Sequence, residues 1–218
     1  MPRVFCHVDP VSPYAWLALR DLDRIDDVAG AQVELVPVLF AGLLHTHGNI
    51  GPAELPAKRR YVFRDVMREA ARRGLPFVGP PGHPFNPLLA LRACTSVADP
   101  AQRRTLMLAL VGACWERGAD LSDAATVARL ADAAGFDGAA LLAAAGTPAV
   151  KQALADATAQ AAAAGVFGVP TFHIEGDAEL FWGADRIDAL LWRLQGQGID
   201  EAALEDFLAR PPLAVRKT

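Results

Sequence analysis

Thiols are scarce in this 218-residue chain: it has three cysteines, Cys6, Cys94 and Cys114, at wide spacing and with no CxxC pair. An odd number so arranged argues against a disulfide framework and against a dithiol redox centre. Long apolar runs are missing too, because charge, Pro or Gly interrupts each one well before the roughly 18 residues that a membrane helix needs. No continuous apolar segment follows Met1, since Asp9-Pro10 falls where one would be, so the reading is a cytoplasmic protein without a leader. Nor is there an excess of positive charge: the formal net charge is −4, which gives no general attraction to polyphosphate or anionic lipid and sets nucleic acid and membrane aside as partners. What the chain does have is apolar residues, 52% against 21% charged, enough to build a sizeable core and to exclude disorder.

Val4 to Val8 reads as a short strand ending at Asp9-Pro10, and Ser12-Pro13 suits the N-cap and first position of a helix. Tyr14, Leu17, Ala18, Leu22 and Ile25 then recur at helical steps, which predicts one helix to about Val28 with Gly30 as its stop. Val33 to Leu39 reads as a second strand, and a βαβ start of this kind predicts a parallel pair in an α/β fold. From about Ala41 to Gly165 the signals are helical. Gly74 closes a Lys58–Arg73 helix, Ser122 and Asp137 stand as N-caps, Gly118 and Gly135 as stops, and Thr147-Pro148 opens another helix. Residues 139–164 hold 14 alanines, but Leu141, Leu142, Val150 and Leu154 keep a helical stripe, so packed helices are predicted there. Strand signals return at Pro170–Ile174 and Ala178–Trp182 around a Glu175-Gly176-Asp177 turn, which is a hairpin pattern, before a helix from about Asp185 to Gln195. This order predicts a thioredoxin-like domain, residues 1–40 and 165–218, interrupted by a helical domain at 41–164.

Three junctions could carry chemistry. In Asp9-Pro10-Val11-Ser12-Pro13-Tyr14 the serine either only caps the helix, or adds a hydroxyl donor at a helix start that favours an anion such as a thiolate. In Phe167-Gly168-Val169-Pro170-Thr171 the proline either merely starts a strand or, with a cis Val169-Pro170 bond, leaves backbone unpaired for an extended peptide-like ligand. In Trp182-Gly183-Ala184-Asp185-Arg186 the aspartate either matches the dipole of the following helix or meets a ligand ammonium.

Those three segments, with Gly48-Asn49-Ile50-Gly51-Pro52, resemble the bacterial 2-hydroxychromene-2-carboxylate isomerases and the related kappa-class glutathione transferases from about residue 4 to residue 195. The resemblance implies a DsbA-like thioredoxin fold with a large all-helical insertion, a homodimer, and glutathione as cofactor. It implies that Ser12 hydrogen-bonds the glutathione sulfur and is the catalytic residue, with Pro13 and Tyr14 beside it, that Val169 and Pro170 present backbone to the cysteinyl unit, and that Ala184 and Asp185 hold the γ-glutamyl end. Asn49 and Lys58 match insertion residues that line the site, Lys58 facing a carboxylate. The chain departs from common family forms in Asp9-Pro10-Val11 before the serine and in Ala184 where a side-chain donor often sits.

The reaction implied is glutathione-dependent isomerisation of a small aromatic-catabolism intermediate. A kappa-like transferase and a non-catalytic thioredoxin-fold binding module are the alternatives. Phe85 and Asn86, in the stiff Gly79–Pro87 segment, are candidates for the substrate pocket or else part of a plain helix connector. His45 and His47, with His7, His83 and His173 scattered, lack the partners of a metal site, and none is expected. The Arg59, Arg60, Arg64, Arg68, Arg72, Arg73 run, interleaved with Asp65 and Glu69, reads as a solvated face.

Overall fold

The computed structural model describes residues 2–27 and 30–214. Strand β1 (Arg3–Val8) lies at the centre of a four-stranded sheet, parallel to β2 (Gln32–Pro37) on one side and antiparallel to β3 (Thr171–Ile174) on the other, with β4 (Phe181–Trp182) beyond, in the order β2-β1-β3-β4. The parallel pair and the hairpin are as the sequence predicts, although β4 is only two residues long. Alternation along β1 sends Val4, Cys6 and Val8 into the main core, where Phe172 is opposite Cys6. Phe5 and His7 point to the other face with His173, a neighbour of both rings.

The first helical stretch is not continuous. α1 (Pro13–Leu19) ends at Arg20 and α2 (Leu22–Asp26) begins after Asp21, with Arg20 and Asp21 N–H groups returning only three residues to Leu17 and Ala18. The break falls where two side chains are drawn away from the helix line, Arg20 to Glu116 and Asp21 to Arg73. The expected end at Val28 lies outside the described residues.

Between β2 and β3 run α3 (Phe40–Thr46), a 3₁₀ turn at Pro52–Glu54, α4 (Pro56–Arg72), α5 (Leu88–Ser96), α6 (Pro100–Arg117), α7 (Ala124–Ala133), α8 (Gly138–Gly146) and α9 (Pro148–Ala163). α4 starts two residues earlier than the sequence suggests, with Pro56 at its first position. α7 is capped by Asp123, whose carboxylate accepts from Thr126 N–H at 2.8 Å, and not by Ser122, whose hydroxyl is bound to Asp120. After β4, a 3₁₀ turn at Ala184–Arg186 leads into α10 (Ile187–Leu194), so the expected helix at Asp185 starts as a tighter turn. α11 (Glu201–Leu208), which the sequence reading did not foresee, is capped by Asp200.

A single buried cluster joins the sheet to α1, α10 and α4 through α7, and a smaller one joins Val38 and Leu43 to Ala161, Ala162, Val166 and Val169. Among the described residues no helix is long and apolar enough to cross a membrane. The C-terminal ends of β1 and β2, the start of α1 and the approach to β3 meet at one end of the sheet, where the two clusters border a cleft.

Candidate active site

β1 delivers Asp9 into a turn closed by Ser12 N–H donating to Asp9 C=O at 3.0 Å. Ser12 then caps α1: extended backbone (φ −87°, ψ 118°) lets its Oγ accept from Ala15 N–H at 3.2 Å. The first N–H groups of a helix have no intrahelical acceptor; here Pro13 has none to offer and Ala15 is satisfied by Ser12, which leaves Tyr14 N–H as the donor of the first turn. The Ser12 hydroxyl donates its own proton across the cleft floor to Val169 C=O at 3.1 Å. The serine therefore bridges α1 to the segment before β3, and it is only 7% exposed.

Val169 precedes a cis proline and lies outside β3, and among the described residues its N–H has no acceptor. Beside it Gly168 leaves room for an indole: a Cβ there would sit 2.6 Å from Trp182 Nε1, so the ring would have to move. Trp182 in turn meets Phe167 edge to face at 4.9 Å, and both rings are partly exposed. Gly183, at φ 118°, turns the chain after β4 and donates to Pro170 C=O at 2.9 Å, so the two loops are stitched together beneath the rings.

The cleft has a volume of about 1180 Å³, and Ser12, Pro13, Tyr14, Asn49, Lys58, Val169, Pro170, Ala184 and Asp185 all line it. Residues far apart in sequence are thus brought to one surface. Lys58 makes no ion pair among the described residues. Asp185 is largely exposed and paired with Arg186 at 3.2 Å, whereas Ala184 is buried. Tyr14 Oη donates to Asp65 Oδ2 at 3.0 Å, and burial together with that carboxylate holds its phenol above the usual tyrosine range. Phe85 lines the cleft with His83 and Pro84, whereas Asn86 turns to α5, its Oδ1 accepting from Leu88 N–H at 3.1 Å.

The site also uses residues to which sequence reasoning gave no role. Asp9 is fully buried, its two oxygens accepting from Val11 N–H and Phe40 N–H at 2.9 Å each, and burial raises its carboxyl to about 7. An aspartate directly after a buried strand and two residues before the N–H it accepts is an Asx-turn signal that could have been read. His83 and Trp115, which reach the same turn from distant loops and helices, leave no such local signal. The three thiols lie outside the chemistry: all are buried, and burial pushes Cys94 and Cys114 up to about 12 and Cys6 higher still. His47 is bound to Val166 C=O and His7 to His173, and no group of three metal-ligating side chains occurs among the described residues.

Comparison with known proteins gives the same outline. The chain is 28% identical over 206 residues to glutathione S-transferase kappa 1 of Rattus norvegicus, covering 88% of this chain and 91% of the relative. It is 27% identical over 186 residues to a 2-hydroxychromene-2-carboxylate isomerase of Sphingobium xenophagum, covering 84% and 93%. A solved 2-hydroxychromene-2-carboxylate isomerase structure superposes with a TM-score of 0.81 at 23% identity, covering 95% of this chain and all of that one, which shows a shared fold. The family model described as the DSBA-like thioredoxin domain matches residues 3–195, the whole span from β1 to the end of α10. A central strand feeding straight into a capped helix, a cis proline opposite that cap, and a run of helices between the two halves of the sheet have one common explanation: the chain belongs to the DsbA-like thioredoxin family.

Proposed function

We propose that this protein is a glutathione-dependent isomerase of the 2-hydroxychromene-2-carboxylate type. One observation carries the reading: a serine hydroxyl, not a cysteine thiol, stands at the start of α1 and is hydrogen-bonded to Val169 C=O, whose own N–H is unpaired. A site built this way has no nucleophilic sulfur of its own, yet it has a donor for one and a backbone edge for the peptide that would carry it. The similarity to proteins named as kappa glutathione transferases and as isomerases supports the choice of peptide.

Glutathione held here would supply the thiolate for reversible addition to a conjugated carbon, the chemistry by which a double bond can isomerise with no net consumption of thiol. The chain supplies the rest. Val169 accepts the cysteinyl N–H and donates its own N–H, the pairing of a two-residue antiparallel bridge. Once Val169 C=O is taken by the ligand, the Ser12 proton is free to turn to the sulfur. A charge-assisted hydrogen bond is worth about 1.5–3 kcal/mol, and each unit of thiol pKa is about 1.4 kcal/mol, so Ser12 alone can lower the thiol by one to two units. Lys58 is the cation for a ligand or substrate carboxylate, and Asp185 the counter-charge for the γ-glutamyl ammonium. Tyr14, Phe85 and Trp182 give the cleft an aromatic lining suited to a flat substrate.

The test is calorimetry with glutathione followed by ultraviolet monitoring of 2-hydroxychromene-2-carboxylate with and without it. A glutathione-dependent approach to equilibrium with no loss of free thiol is the expected result. A stoichiometric loss of thiol, with thioether accumulating, assigns the protein instead to the transferase reading, which its 28% identity to a kappa transferase favours. Absence of glutathione binding would overturn both.

A further inference from the structure

The turn that aims Ser12 is held in equal part from within and from outside itself. Four contacts to its backbone hold it: Ser12 N–H to Asp9 C=O, Val11 N–H to Asp9 Oδ1, Val11 C=O from His83 Nε2 at 2.9 Å, and Pro10 C=O from Trp115 Nε1 at 3.0 Å. Two of these straps come from the helical segment between β2 and β3, His83 from the loop before α5 and Trp115 from α6. A carbonyl can only accept, so His83 carries its proton on Nε2. Its other nitrogen, Nδ1, is buried and has no partner among the described residues.

That orphan nitrogen is the informative feature. The ring packs edge-on against Phe63 at 5.0 Å and against Trp115 at 5.8 Å, a setting that phenylalanine would fill without leaving a polar atom unpaired. A buried unsatisfied nitrogen is costly, so packing alone does not account for a histidine here. The bond from Nε2 to Val11 does. We infer that His83 is a positioning residue for Ser12, fixing through the Val11 carbonyl the turn from which the serine hydroxyl is presented. What the positioning serves rests on the glutathione reading above, whereas the positioning itself rests on the geometry of the turn.

Two variants of the full chain separate the possibilities. His83→Phe keeps the ring and removes the donor, and His83→Gln restores an amide N–H near the place of Nε2. Amide hydrogen exchange resolved at Val11 and Ser12, with Val4 and Cys6 in β1 as internal controls, reads the turn directly. In His83→Phe the two turn amides are expected to exchange about tenfold faster than in the parent, the equivalent of one lost hydrogen bond, while the β1 amides are unchanged and His83→Gln reverts the effect. The ultraviolet titration of bound glutathione should show a thiol pKa raised in His83→Phe and recovered in His83→Gln. Unchanged turn exchange in His83→Phe overturns the inference. Faster exchange with an unaltered thiol pKa also overturns it, because the turn would then move without moving the serine's effect on sulfur. If the parent binds no glutathione, the functional reading falls and the amide exchange alone still decides the role of His83.

Discussion

Replacing Ser12 by alanine removes two interactions from the unliganded protein and the bond to sulfur from the complex, and their magnitudes can be separated. The Ala15 N–H loses its cap, worth about 1 kcal/mol, and the buried Val169 carbonyl loses a neutral donor, worth about 1 kcal/mol. The unliganded protein should therefore be less stable by about 2 kcal/mol in a denaturant titration, a loss that leaves it folded if its stability is ordinary. The bound thiol loses a charge-assisted bond of about 1.5–3 kcal/mol, which raises its pKa by about one to two units. At pH 7, with the unassisted thiol at its ordinary value of about 8.5, the thiolate fraction, and with it the turnover, should fall about 8- to 25-fold. The gap must then narrow as pH rises, because above both pKa values the sulfur is ionised in either protein. Ser12→Thr, which keeps a hydroxyl in the capping position, should retain most of the parental pKa. Ultraviolet titration of the thiolate and a pH–rate profile give both quantities. A rate deficit that stays constant from neutral to alkaline pH, or a thiol pKa unmoved by Ser12→Ala, would refute the role assigned to the hydroxyl.

Other outcomes follow from single contacts. Gly168→Ala places a Cβ 2.6 Å from Trp182 Nε1, so the indole must swing off Phe167; tryptophan fluorescence should shift and glutathione binding should weaken about tenfold through loss of the aromatic contact and displacement of the Val169 edge. Gly138→Ala gains helix propensity yet sets a Cβ 2.8 Å from Ala128 Cα, backbone that cannot step aside, and thermal unfolding should show a net loss of about 1–3 kcal/mol. Two buried groups act oppositely on stability across acid pH. Asp9, raised to about 7, contributes stability that is complete below about pH 4 and lost as pH climbs to 7, about 4 kcal/mol in all. His7, lowered to about 4 by burial and then by His173, contributes stability complete above about pH 6.5 and lost on descent to 4, about 3 kcal/mol. His7→Phe should unmask the Asp9 trend, with a denaturant midpoint that falls between pH 4 and pH 7; a midpoint that rises there would contradict the burial of Asp9.

Much of this molecule is legible along the chain because it rests on local rules. Alternation marks β1, and proline after a capping residue marks the starts of α1 and α9. Ser12 and Asp185 stand where a strand runs into a helix and Val169 where a turn runs into a strand, patterns visible along the chain, whereas the ligand roles given to these residues and to Ala184 come from the family resemblance. Tertiary interactions overrode local preference in other places. One apparent helix is divided in two at Arg20 and Asp21, the residues whose side chains pair with Glu116 and Arg73, some 50 to 100 positions away. Asn86, open between the substrate pocket and a plain helix connector, serves the start of α5 by accepting from Leu88 N–H, a contact only two residues long that is itself of the local kind.

The α/β class, the break in the sheet by a run of helices, the missing thiol and the serine at the head of α1 can all be read along the chain, because periodicity, caps and turns depend on residues within a few positions of each other. Folding in three dimensions was needed to show that Ser12 gives its proton to Val169, that Asp9 also meets Phe40 N–H, and that His83 and Trp115 grip the turn between them. Those contacts join segments up to 157 residues apart, and their existence depends on how the layers pack, which no local pattern encodes.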